Sequence, residues 1–269
     1  MSKDNLWKNI IENLFEDFLF FFLPDIAELV DFQKGFEFLD KELSQISPYT
    51  EDSFRFLDKL VKVYLKTGEE QWLLIHIEVQ GYQDPEFSER MFVYFYRIFD
   101  KFRKKVVSFA ILTDSGISYK PQSFSFDYFG IHQEYRYRIY KIIEQQEEKL
   151  KKMANPFALV VLTAKRNLYD KTDATILKTK IELIRLLLEK GFQKTKIREL
   201  FSFIDVMMKL ENSNMQELFY KDLKELKGGK AMELIGDFEE VALRRFSNKP
   251  LQVYQENGRY PRYRVISVI

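Results

Sequence analysis

Two strand-like runs separated by four residues constrain this chain more than anything else in it. Residues 54–66, FRFLDKLVKVYLK, and residues 71–80, QWLLIHIEVQ, alternate at period two and are rich in β-branched and aromatic side chains. The TGEE between them (67–70) is short and polar, as a hairpin connection should be. DPEFSERMFVYFYRIFDKF follows. There Asp84 can cap, Pro85 fits a first helical turn, and an aromatic face repeats at helical spacing. VVSFAILTD (Val106–Asp114) then reads as a buried strand, and EYRYRIYKII (134–143) alternates as another. The GISYKPQSFSFDYFG between them (116–130) is a loop with room for one strand.

The flanks are helical. Leu14, Phe15, Phe18, Leu19 and Phe22 recur at helical spacing, Pro24 ends or kinks that helix, and Asp25–Phe32 forms a shorter one before EFLDKEL and the turn-rich SQISPYTEDS. Beyond about Asn155 the pattern is helical throughout. TILKTKIELIRLLLEKGF closes with a C-cap signal at Gly191, and further helices fall on KTKIRELFSFIDVMMKL, MQELFYKDLKEL and GGKAMELIGDFEEVALRRF. The expected order is helix, strand, strand, helix, strand, strand. That predicts an α/β fold with a mixed central sheet flanked by helices, followed by a helical C-terminal region and an irregular tail at 248–269.

Composition narrows the chemistry. With no Cys among 269 residues, disulfides, thiolate metal sites and a cysteine nucleophile are excluded, and with His76 and His132 as the only histidines so is any three-histidine centre. The N-terminus lacks the basic, apolar and small-residue regions of a signal peptide, and the greasiest run, FLFFFL (18–23), is too short to span a bilayer. A cytoplasmic protein without a membrane partner is expected. Residues 1–159 carry 21 Lys/Arg against 26 Asp/Glu, and residues 160–269 carry 21 against 15. A basic C-terminal part permits contact with a polyanion, although interspersed charge is ordinarily a solvated helix face.

The polar residues inside the second run need a reason. Side chains two apart share a strand face, so His76, Glu78 and Gln80 lie with Trp72 and Leu74, opposite Leu73, Ile75, Ile77 and Val79. Burying them uncompensated is costly. If the two runs pair, Asp58 of the first can approach Glu78 of the second. Converging carboxylates repel, and a divalent cation with hard oxygen ligands (Mg²⁺, Mn²⁺ or Ca²⁺) would resolve the conflict. The competing reading turns either acid to solvent or pairs it with Lys59 or Lys62. His76 is expected to be structural rather than a ligand. YRYRIYK (135–141) interleaves basic and aromatic residues as a nucleic-acid surface does, but equally as a half-buried strand, which is the expectation here. No GxGxxG, Walker or GxSxG motif occurs.

The combination FLDKLVKVYLKTGEEQWLLIHIEVQGYQDPEFSERMFVYFYRIFDKF followed by VVSFAILTD resembles the Rpn family of recombination-promoting nucleases, or putative transposases, of the PD-(D/E)XK nuclease superfamily. The resemblance covers residues 1–165 well and the helical part more loosely. It implies a restriction-endonuclease-like domain at 1–165, a helical region at 166–247 and the tail at 248–269, and it implies a Mg²⁺- or Mn²⁺-dependent DNA endonuclease. By the same resemblance Asp58 and Glu78 are metal ligands, joined by the backbone carbonyl of Val79. Gln80 stands in catalytic position where most of the superfamily has lysine. Arg90 and Tyr94 on the following helix support the site, and Glu42 is the candidate for an additional upstream acid. DNA is the expected partner, with a homodimer admitted as an option. A neutral amide can hydrogen-bond a water or a phosphate oxygen, but it supplies no charge and no base. Two other classes therefore stay open: a nuclease-fold DNA-binding protein with a weakened site, and an interaction module using the helical region.

Overall fold

The computed structural model describes residues 3–46, 57–67 and 72–226, with 57–58, 72–78 and 80 placed by backbone and register. The turn-rich stretch at 47–56, most of the TGEE connection, the expected helix within 228–246 and the tail at 248–269 lie outside the described residues.

The architecture is mixed α/β. Five strands form one sheet: β1 (Phe36–Phe38), β2 (Leu57–Tyr64), β3 (Trp72–Gln80), β4 (Val106–Leu112) and β7 (Arg138–Lys141), in that spatial order. The β1–β2 and β2–β3 pairs are antiparallel, and β3–β4 and β4–β7 are parallel. The two long runs do pair as neighbours. Parallel neighbours need a crossover, and α5 (Phe87–Phe102) supplies it between β3 and β4. A separate ribbon pairs β5 (Ser123–Tyr128) with β6 (Ile131–Arg136).

The ribbon corrects the expected layout of 116–143. The single strand expected over 134–143 is two strands in two sheets, divided at Tyr137. That residue is buried, donates its backbone N–H to the Gln122 carbonyl at 3.1 Å, and bonds Ser88 Oγ through its hydroxyl at 2.9 Å. These contacts turn the chain out of the ribbon and into the main sheet. Alternation on both sides of Tyr137 is real, which is why the break is invisible in the pattern. The edge strand β1 was likewise unmarked, being only three residues long.

Two helical layers cover the sheet. On one face Val61, Val63, Phe109 and Ile111 meet α1 (Lys3–Asn13), α2 (Phe15–Phe22) and α7 (Pro156–Tyr169) in one buried cluster. The helix expected through Phe22 is broken at Leu14, whose φ of −127° and ψ of 37° are not helical. The break lets α1 pack on α9 (Lys194–Met207) while α2 packs on α7. Pro24 starts a short α3 (Pro24–Ala27), as its fixed φ allows at a first turn. α7 is buried on every side from Pro156 to Ala164, as an all-apolar helix must be. Its N-cap Asn155 accepts from Phe157 N–H at 2.8 Å and donates to the Asp17 carbonyl at 2.9 Å. Phe18, Phe22, Phe109 and Phe157 stack edge-on or tilted at 5.4–6.0 Å between layers. α6 (Glu147–Lys152), α8 (Asp173–Glu189) and α10 (Ser213–Glu225) complete this side, and Gly191 caps α8 with φ 66°. The expected boundary at 165 falls within α7, and the same buried core runs on both sides of it.

On the other face α4 (Asp40–Ile46) and α5 cover Leu60, Ala110 and Leu112. Leu39, Leu43, Tyr94 and Ile98 close over Leu60, and Phe87, Met91 and Tyr137 close over Ala110 and Leu112. Among the described residues no helix is long and apolar enough to cross a membrane.

Candidate functional site

The strand registers arrange the face under α5 into rows. Leu60, His76 and Ser108 are register partners across β2, β3 and β4. The next row is Asp58, Glu78, Ala110 and Ile139, and the last is Gln80, Leu112 and Lys141. Asp58 and Glu78 are thus direct cross-strand partners of an antiparallel pair. Such partners share a face with Cβ atoms about 4.5–5.5 Å apart, where two carboxylates repel unless something neutralises them. Val79 lies between the last two rows in sequence and packs on the opposite face, against the large core.

The helices bring further groups to this face. Arg90 and Tyr94, one turn apart on α5, are both buried, at 4% and 2% exposure. Tyr94 packs with Leu60, one row from Asp58. Arg90 forms an ion pair with Asp84 in the loop leaving β3 and lies 5.1 Å from the Phe87 ring. Glu42 sits half-buried in the first turn of α4, beside Leu43, which packs on Leu60. Lys59 and Lys62, the alternative partners for the acids, each have a described carboxylate partner. Lys59 is buried on the other face between Glu12 and Asp40, and Lys62 pairs with Glu37 at 3.4 Å.

At the carboxyl ends of β3, β4 and β7 the structure adds a charged network that the sequence did not flag. Asp84 accepts from Glu86 N–H at 3.0 Å as well as from Arg90, and the Tyr119 hydroxyl donates to the Asp84 carbonyl at 3.0 Å. Burial raises the Tyr119 pKa above its ordinary value. Asp114 accepts from Gly116 N–H at 2.8 Å and from Lys141 Nζ at 2.5 Å, both acid and lysine being buried. A Cβ at Gly116 would meet the Gln83 side-chain amide, which would have to swing aside. Asp114 read as part of a turn and Lys141 as the end of an ordinary strand. Only their convergence from separate strands makes them a pair. The arginines of YRYRIYK are likewise spoken for: Arg138 is bidentate to Asp25 at 2.7 and 2.8 Å, and Arg136 pairs with Glu134 at 2.8 Å. That run is half-buried as expected, but as parts of two strands rather than one.

Two rows in from Lys141, the Ser108 hydroxyl is buried beside that of Tyr135 from the ribbon. Burial pushes the Tyr135 hydroxyl up to about 12, against a smaller opposing pull from Ser108. No group of three or more His, Cys, Asp or Glu side chains able to hold a metal occurs among the described residues. The Asp58–Glu78 pair itself is a hard, all-oxygen donor set, and its chemistry fits Mg²⁺ or Mn²⁺ better than a soft ion. No family model matches the chain, and no curated protein or solved structure matches it at a significant level.

Proposed function

We propose that the protein is a metal-dependent DNA endonuclease with a restriction-endonuclease-like core, acting in the cytoplasm and related to the Rpn recombination-promoting nucleases. The observation that carries this reading is the register pairing of Asp58 with Glu78, one row from Gln80, on a sheet face roofed by a helix bearing buried Arg90 and Tyr94. Asp58, Glu78 and the Val79 carbonyl would hold Mg²⁺ or Mn²⁺, which when bound activates water and polarises a phosphate oxygen. The remaining work falls to the chain. Gln80 orients the attacking water or a phosphate oxygen by hydrogen bonding without donating charge. The Arg90–Asp84 pair and the Tyr119 hydroxyl fix the loop that leaves β3 directly after Gln80. Leu112 separates Gln80 from Lys141 in their row, and the Lys141 ammonium is neutralised by Asp114. Glu42, on the helix above Leu60, is the reserve acid.

Purified protein should nick supercoiled plasmid with Mg²⁺ or Mn²⁺, and Asp58→Ala and Glu78→Ala should each abolish nicking. Unchanged activity in both variants would sink the site. The neutral Gln80 supports one second reading, a nuclease-fold DNA-binding protein with a slow or silent site. Salt-sensitive DNA binding without cleavage in either metal selects it.

A further inference from the structure

The β5–β6 ribbon presents an aromatic surface whose outer end is left open to solvent by the described residues. Register places Phe124, Phe126 and Tyr128 of β5 on one face with Tyr135, Gln133 and Ile131 of β6. The root of that face is anchored on α5, where Phe92 stacks on Phe124 at 5.2 Å and Phe95 on Tyr135 at 4.6 Å. The tip is bare: Tyr128 is 67% exposed, Phe129 90% and Ile131 64%. Phe129 and Gly130 form a two-residue loop with φ of 47° and 80°. Both values are positive, a turn in which Asn-Gly is the ordinary choice and a bulky side chain is strained. A Phe this exposed buries almost nothing against the described residues, and an outlier of this kind points to a function.

The stripe continues past the root. Ring contacts lead from Tyr135 to Phe95 and on to Phe99 at 6.2 Å, which is again open to solvent. One continuous aromatic path therefore has two exposed ends of different charge. The ribbon end carries exposed Asp127 and Glu134 against one arginine, Arg136, whereas the Phe99 end carries exposed Lys101, Arg103 and Lys105 against one carboxylate, Asp100. The ribbon's own cations are matched by carboxylates, Arg136 by Glu134, His132 by Asp127 and Lys120 by Glu144. A polyanion finds no surplus of positive charge there. A second copy of this chain finds both halves of what it needs. A two-fold axis across the stripe sets the ribbon tip of each copy on the Phe99 end of the other, burying each exposed end and bringing opposite charges together. That self-complementarity is the requirement for an isologous interface.

We infer that the protein dimerises through this stripe, with the ribbon tip of each protomer seated on the carboxyl-terminal half of α5 of its partner. The inference is independent of the nuclease reading. Sedimentation equilibrium of the full chain should give twice the 32.4 kDa of the monomer. Phe129→Asn combined with Tyr128→Ser should raise the dimer dissociation constant at least about tenfold, while the melting temperature holds or rises because Asn suits the turn. Asp127→Lys should also weaken the dimer, and adding Lys101→Glu should restore it. A monomer at every concentration overturns the inference, as does a dimer indifferent to these substitutions or a charge swap that fails to restore it. It is equally overturned if the tip variants leave the mass unchanged but lose binding to duplex oligonucleotide or to phosphatidylserine vesicles.

Discussion

The two faces of the central sheet were built by opposite rules. Under α1, α2 and α7 the sheet meets a dry aromatic layer in which Phe18, Phe22, Phe109 and Phe157 interlock, and Lys59 is its one buried charge among the described residues. Under α5 every row contains a polar residue: His76 and Ser108, then Asp58 and Glu78, then Gln80 and Lys141. A strand alternates faces, so a single sheet can devote one side to burial and spend the other on chemistry. Stability and the proposed reaction are thereby separated by the thickness of one strand.

That separation can be broken, and the largest effect should fall on chemistry alone. Asp58→Asn or Glu78→Gln should lower metal-dependent cleavage by about a thousandfold, near 4 kcal/mol of transition-state stabilisation. Removing one of two repelling carboxylates should leave the melting temperature unchanged or higher. Loss of folding in step with activity, seen by circular dichroism, would deny the separation. The mirror experiment is Phe18→Ala on the dry face, where cavity formation should cost about 3–5 kcal/mol in urea unfolding, with cleavage per folded molecule retained.

Lys141→Met tests the margin of the polar face. It strands buried Asp114 and should cost about 3 kcal/mol, whereas pairing it with Asp114→Leu should recover most of that. Alkaline titration gives a smaller effect. Tyr135 holds its proton to about pH 12 when folded and to its ordinary 10.0 when unfolded. Its stabilising contribution is therefore complete below pH 10 and is lost as pH rises through the folded value. Tyr135→Phe should flatten the fall in stability across that window. Least of all, Arg138→Ala should cost about 0.5 kcal/mol or less, because both it and Asp25 are exposed and screened. The Arg138 guanidinium holds the Asp25 carboxyl below its usual range, so even this contribution should vanish as pH falls through the Asp25 titration.

The sequence carried the two long strands, the helix α5, the buried β4 and the Gly191 cap, because each rests on local periodicity or one residue's conformational preference. It placed Asp58 opposite Glu78 only as an option, since register depends on a connection whose length alone does not determine it. What it missed is non-local. Tyr137 divides two sheets through contacts with Gln122 and Ser88, and Asp114 meets Lys141 only after a crossover through the ribbon. Leu14 breaks a helix whose apolar spacing runs through it unaltered, for the sake of partners nearly two hundred residues away.

Those distant partners set the order in which the chain can assemble. α1 finishes its packing against α9, through Trp7 on Phe203 at 5.3 Å and Asn13 on Glu199 at 2.7 Å, and α2 is tied to Asn155. During synthesis α1 must wait, its apolar face uncovered, until α9 has left the ribosome. Loop closure over such separations is slow, and the waiting surface is open to aggregation. A nascent chain arrested before α9 should therefore bind a holdase, and completing α9 should release it.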